Sequence, residues 1–289
     1  MTPTDSAADA APFRHLHLNG QAVAYQVEGA PSALASEQVL LAQDTDLSAK
    51  APWADAGFAV VPGLPALVQQ QLQAGLAQLL REALRAAGCP VVDDFDITHY
   101  HRALGDDPAR HLAVIAHTKV YDLARLPVAP ALLESLVSAA CGQPVRAYNP
   151  NVSEAVFHLR IVRPHLSDHN PLHRDAWLPR YQNALNIYLP VAGSTAQSSL
   201  TLVPGSHHWP ESAVERTAGG AIYHGVPYTV PGVLRPARPL SIIRPNPGPD
   251  EVLVFSPYLL HGAAANLNED ATRVSLEMRF WPAEELRVR

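Results

Sequence analysis

The hydrophobic pattern changes its period along the chain. Between Pro65 and Ala87 apolar residues recur at helical spacing, with Leu72, Leu76, Leu79, Leu80 and Leu84 on one side, and the run stops at Gly88 and Pro90. That recurrence, closed by glycine and proline, predicts an amphipathic helix. A second, shorter helix is predicted over Ala129 to Ala140, ending near Gly142. Upstream, RHLHLNGQAVAYQV sets Asn19-Gly20 between two alternating runs. Both residues tolerate the positive φ of a two-residue turn, so a small β-hairpin is predicted.

Beyond about Val152 the texture becomes β. AVFHLRIV, ALNIYLPV, SSLTLVPG, LSIIRP, EVLVFSP and TRVSLEMRF are short apolar or alternating runs separated by Pro, Gly, Asn and Ser. Such runs read as strands. The fold class expected is mainly β with N-terminal helices. Residues 1–12 are expected to be a disordered tail, 13–150 a hairpin and helical segments packing on the core, and 151–289 the all-β core, in one continuous domain. No internal repeat is apparent.

Composition narrows the picture. With 289 residues, 47% of them hydrophobic, the chain is long enough to bury roughly 75% of the surface that its unfolded form exposes. The 27 prolines suit many short strands and loops better than long helices. Charges of 21 basic against 27 acidic residues, net -6, and no run of Lys or Arg argue against a nucleic-acid partner. No apolar run approaches the roughly 20 residues of a membrane span, and MTPTDSAADAAPF lacks the parts of a signal peptide. A cytoplasmic protein with no membrane partner is expected. Cys89 and Cys141 fit neither a zinc spacing nor a disulfide framework and read as idle or buried thiols.

Candidate chemistry begins at PLHRDAWLP, where His173 and Asp175 stand one residue apart in a segment read as a strand leaving a proline-marked loop. Side chains at i and i+2 share a strand face, so the imidazole and the carboxylate point together while Arg174 points away. A buried His-Asp hydrogen bond would explain the pair equally well. The addition is His261, which follows an apolar run and a Ser-Pro turn and precedes Gly262. Two histidines and one carboxylate on one face of a metal leave three positions open, the mark of non-haem Fe(II) oxygenases. Zinc more often takes a closed tetrahedron or one open site. In TRVSLEMRF, Arg273, Ser275, Glu277 and Arg279 share a face opposite Val274, Leu276, Met278 and Phe280. This polar stripe either faces water or lines a barrel, where an arginine beside a serine can hold a carboxylate.

The order HRD, NIYLPVAGSTAQSSLTLVPGSH, SPYLLHG and TRVSLEMRF, over about Ala155 to Pro282, resembles the phytanoyl-CoA dioxygenase family of Fe(II)- and 2-oxoglutarate-dependent oxygenases. The resemblance implies a double-stranded β-helix, or jelly-roll, core of the cupin kind. It implies Fe(II) held by His173, Asp175 and His261, with 2-oxoglutarate gripped at its distal carboxylate by Arg273 and helped by Ser275. Asn186 and Thr201 are implied as further co-substrate contacts. Dioxygen is the second co-substrate, and hydroxylation of an unactivated C–H is the implied reaction. Retention of Asp175 favours hydroxylation over halogenation, because the halogenating relatives have a small residue there. The N-terminal half carries a weaker likeness and is expected to choose the substrate, together with the loop Arg163 to Leu172.

Other residues carry less. His15, His17, His99 and His101 are expected at the surface or in packing, His207 and His208 at the PGS turn, and His165 and His169 in the loop before the metal segment. Lys119, Arg160, Arg163 and Arg180, read as lying near the site segments, suggest a small polar or anionic substrate such as an acidic sugar or amino-acid derivative. No apolar channel supports an acyl-CoA. Two other readings stay open: a non-catalytic jelly-roll protein that keeps a metal or ligand site, and a zinc-dependent hydrolase with a metal-bound water. Oligomeric state is not legible.

Overall fold

The computed structural model describes residues 13–283 except 34, 35, 43, 92–94, 106 and 169. The expected tail over 1–12 and His169 lie outside the described residues. Strands β1 (His15–Leu18) and β2 (Gln21–Ala24) form the predicted hairpin, turning through Asn19 and Gly20, both at positive φ. There follow β3 (Val27–Glu28), β4 (Phe58–Pro62) and helix α1 (Ala66–Ala86). Next come α2 (Tyr100–Leu104), α3 (Pro108–Thr118), β5 (Tyr121–Asp122), α4 (Pro130–Cys141) and β6 (Val145–Arg146). The remainder supplies β7 (Val156–Val162), β8 (Leu185–Ala192), β9 (Val214–Arg216), β10 (Ala221–Tyr223), β11 (Val226–Tyr228), β12 (Val233–Pro236), β13 (Glu251–Phe255) and β14 (Arg273–Pro282).

One seven-stranded antiparallel sheet, ordered β4-β13-β8-β14-β7-β5 with β6 also on β14, forms the expected mainly β, jelly-roll core. Alternation along its strands sorts their side chains. Leu159, Ile187, Leu189, Val254, Leu276 and Met278 cover one face and pack on Leu72, Leu76 and Leu79 of α1 and Leu133 and Val137 of α4. The opposite face carries His158, Asn186, Tyr188, Leu253, Phe255, Arg273 and Ser275, and irregular chain around Leu200, Leu202, Leu259 and Ala264 closes over part of it. α1 and α4 fall where the apolar period and their glycine stops predict, with Gly142 left-handed at the end of α4.

The second layer departs from expectation. SSLTLVPG and LSIIRP are not strands; Leu202 meets Ile243 and His261 only through isolated bridges. Pro204, Pro239 and Pro245 bound these runs, and proline cannot donate to a ladder. The amides of Ser198 and Ser199 turn back to the Thr195 carbonyl instead. Helices α2 and α3 were not foreseen.

Candidate active site

The metal-ligand candidates are brought together by backbone pairing. His173 and His261 exchange both N–H···O bonds at 2.9 Å, the close pairing of a two-residue antiparallel bridge, and their rings lie 4.3 Å apart. His173 is not in a named strand, and Asp175 opens a short 3-10 turn through Trp177. The expected continuous strand is replaced by a bridge followed by a turn, in which the Ala176 amide donates to the Pro257 carbonyl. The carboxylate still reaches the histidines: Asp175 Oδ1 lies 3.3 Å from His173 Nε2 and 3.9 Å from His261 Nε2. Gly262 makes the approach possible. At φ 106° a side chain there is strained, and a Cβ would sit 2.5 Å from the Pro171 carbonyl oxygen and 3.0 Å from His173 Nδ1.

The protonation pattern suits a cation. His173 Nδ1 donates to the Pro171 carbonyl at 2.7 Å and His261 Nδ1 to the Leu259 carbonyl at 2.9 Å. A carbonyl only accepts, so both Nε2 atoms carry lone pairs aimed inward. Burial, then the nearby His173, drives the His261 imidazole down to about 3, keeping it neutral. Burial alone would raise the Asp175 carboxyl, but the guanidinium of Arg279 and the two imidazoles hold it well below the usual carboxylate range. Among the described residues these three are the one group of His, Cys, Asp or Glu side chains whose ligand atoms gather within 4.8 Å. His173 Nε2 is buried with no hydrogen-bond partner. Two imidazole nitrogens and one carboxylate oxygen fit a divalent iron.

The polar stripe of β14 faces inward, not toward water. Arg273 and Ser275 are fully buried, and Nε, Nη1 and Nη2 of Arg273 and Oγ of Ser275 have no hydrogen-bond partner among the described residues. Arg273 lies over the Tyr188 ring at 5.6 Å. Both amide atoms of buried Asn186 are also unpartnered. Such orphans are rare in native interiors, and a guanidinium left alone in one is costly. Arg273 and Ser275 share one face of β14 and suit a carboxylate, whereas Asn186 stands opposite Arg279 in the β14–β8 register, farther along the sheet. Thr201 differs, because its hydroxyl donates to the Gly262 carbonyl behind the histidine pair. Arg244, whose Nη atoms donate to the Ser199 and Ala265 carbonyls, stands near enough to Arg273 that burial and then that charge bring its guanidinium down to about 10.

The other basic residues are not one cluster. Arg160 pairs with Glu277 at 2.9 Å. Arg163 pairs doubly with Asp168. Lys119 and Arg180 are exposed, Arg180 lying over Tyr181. His158, on the inner face beside Glu277, donates from Nδ1 to the Lys119 carbonyl at 2.6 Å, and burial with Arg160 and Arg279 nearby brings it to about 3. Histidines without a metal role behave as expected: His15 and His17 are exposed on β1, His207 bonds the Ala54 carbonyl in the turn after Gly205, His101 bonds Asp270 and Thr272, and His165 is exposed. Arg174 does point away from Asp175, into a buried pair with Glu211. Arg279, which donates to Asp175, was visible in the sequence only as a member of the stripe.

A family model described as phytanoyl-CoA dioxygenase (PhyH) matches residues 53–275, reaching into the N-terminal half where the sequence likeness looked weak. A comparison with curated proteins finds no match. Similar solved structures include EctD from S. alaskensis with 2-oxoglutarate and 5-hydroxyectoine, at 14% identity and a TM-score of 0.45 over 90% of this chain and 84% of that one. AviO1 from Streptomyces viridochromogenes is 17% identical with a TM-score of 0.44 over 86% and 97%. The nickel complex of the non-heme monooxygenase ThoJ is 16% identical with a TM-score of 0.44 over 82% and 77%.

Proposed function

The chain belongs to the phytanoyl-CoA dioxygenase family, and from that membership we propose that His173, Asp175 and His261 hold the Fe(II) and that Arg273, with Ser275 and Asn186, receives 2-oxoglutarate. The enzyme is an Fe(II)- and 2-oxoglutarate-dependent dioxygenase. Iron, 2-oxoglutarate and dioxygen together supply oxidative decarboxylation to succinate and CO2 with hydroxylation of a substrate C–H. The chain's own residues prepare for this. The Pro171 and Leu259 carbonyls fix both imidazole tautomers. Phe255, itself buried, sets its ring edge-on to that of His261 at 4.9 Å. Arg273 offers a planar fork that matches a carboxylate.

The observation that carries the reading is the buried Arg273 guanidinium with all three nitrogens unpartnered. A zinc hydrolase or a non-catalytic binding protein gives that charge no purpose. The substrate is a small polar or anionic metabolite, such as an acidic sugar or amino-acid derivative. His158 and the Arg160–Glu277 pair beside Ser275 support this, since a wall of opposed charges accepts polar groups more readily than an acyl chain. The test is anaerobic addition of Fe(II) and 2-oxoglutarate, which should produce the weak visible charge-transfer band of the chelate in the wild type. Succinate release should then rise with acidic sugars or amino-acid derivatives and not with acyl-CoAs. A colourless protein would refute the site, whereas an acyl-CoA response would refute only the substrate class.

A further inference from the structure

Two guanidiniums extend from the same face of β14, and their hydrogen bonds separate their roles. Arg273 spends no nitrogen on a hydrogen bond to the described residues. Arg279 places Nε at 2.8 Å and Nη2 at 2.7 Å from a single oxygen, Oδ2 of Asp175. The other oxygen, Oδ1, is the one that faces both histidine Nε2 atoms. We propose that Arg279 is a positioning residue for the carboxylate ligand, occupying its outer oxygen so that only the inner oxygen is presented to the metal.

The inference rests on the reading of His173, Asp175 and His261 as the iron site. A carboxylate with both oxygens free can take two positions on a metal. Three open positions are needed if 2-oxoglutarate binds through two atoms and dioxygen through one, so a second carboxylate oxygen would close one of them. Paired donors on Oδ2 prevent that by charge-assisted bonds. Arg279 is itself held. Its guanidinium stacks on the Tyr181 ring at 4.1 Å, it stands opposite Asn186 in the β14–β8 register, and its side chain is 10% exposed. Asp175 lies in a turn, not a ladder, so its side chain depends on this contact for its direction more than a strand residue would.

Partners of metal ligands typically contribute 10- to 100-fold in metal affinity. The test titrates Fe(II), and Co(II) as a spectroscopic probe, anaerobically into purified wild type, Arg279→Lys, Arg279→Gln and Arg279→Ala, without 2-oxoglutarate or substrate. Gln and Ala should bind metal about 10- to 100-fold more weakly and show an altered visible Co(II) spectrum. Lys should fall between, and guanidinium ion should restore affinity and spectrum to the Ala protein. That rescue separates positioning from misfolding. Wild-type affinity and spectrum in the Gln variant, or failure of guanidinium to restore the Ala variant, would overturn the positioning role alone. If the wild type itself bound no stoichiometric metal, the iron site would fall and the inference with it.

Discussion

At the scale of single residues, Arg273 carries a contradiction that predicts its behaviour. A buried guanidinium without a hydrogen-bonded partner burdens the unliganded fold, and the Tyr188 ring offsets only about 0.5–2 kcal/mol of that. Arg273→Met should therefore leave the melting temperature of the unliganded protein unchanged or raised. The same variant should weaken 2-oxoglutarate roughly 30-fold or more, since removing one partner of a buried charge pair costs on the order of 2–5 kcal/mol. Lysine should recover part of that loss, and iron affinity should stay nearly constant. A calorimetric titration beside a thermal melt checks both halves. Gly262→Ala should act differently, because its Cβ would press on Pro171 and His173; metal affinity, not 2-oxoglutarate affinity alone, should fall. The grouping of His173, Asp175 and His261 was legible through the order of the motifs and the family resemblance they carry, since the i,i+2 strand spacing that first suggested the pair is replaced by a bridge and a turn. Arg279 was not legible as a partner of Asp175, because 104 residues separate them and only the folded sheet makes them neighbours.

At the scale of elements, the legible parts were those whose period repeats over several turns or pairs: α1, α4, β7, β8, β13 and β14. α2 escaped because five residues are too few to display a period, and α3 because its buried positions mix the polar His111 and Thr118 with Val114. These helices grip the loop that precedes the metal segment. Tyr100 bonds His111 Nδ1 at 2.9 Å, His111 Nε2 faces Asp168 at 3.7 Å, and Asp168 is doubly bonded by Arg163. Burial first, with Arg163 nearby and only partly countered by Asp168, brings the His111 imidazole to about 4. The unfolded chain then takes up this proton nearer pH 6.5, so between about pH 6.5 and 4 the unfolded state binds more protons and stability falls as pH falls. The depression corresponds to about 3 kcal/mol at 1.36 kcal/mol per pH unit. Denaturant titrations of the unliganded protein across that window should show the loss, and His111→Gln should reduce it, the remainder coming from His158 and His261, whose imidazoles are depressed as well. An unchanged pH slope in the variant would refute the role of this contact.

At the scale of the whole molecule, the β-core after residue 150 and the segments before it share one structure. The central sheet takes β4 at one edge, β5 at the other and β6 against β14, all from the N-terminal part. The apolar cluster under that sheet mixes Leu72, Leu76, Leu79, Leu133 and Val137 with Leu159, Ile187, Leu276, Met278 and Phe280. Composition could suggest a helical part before a β part, but sheet order is not a property of local sequence, and the edge strands β5 and β6 are two residues each. A fragment spanning 151–289 should consequently leave one sheet face without its helical cover and both sheet edges unpaired. Buried side chains such as Leu and Phe each lose about 1.5–3 kcal/mol when re-exposed, and several would be. Together that loss is comparable with the 5–15 kcal/mol by which domains are typically stable. The isolated fragment should therefore aggregate or lack dispersed amide resonances, and should bind neither Fe(II) nor 2-oxoglutarate. Adding the separately expressed segment 13–150 during refolding should recover binding if the two parts complete one sheet. A fragment that melted cooperatively and bound iron by itself would show that the core is autonomous and that the N-terminal segments serve only the substrate.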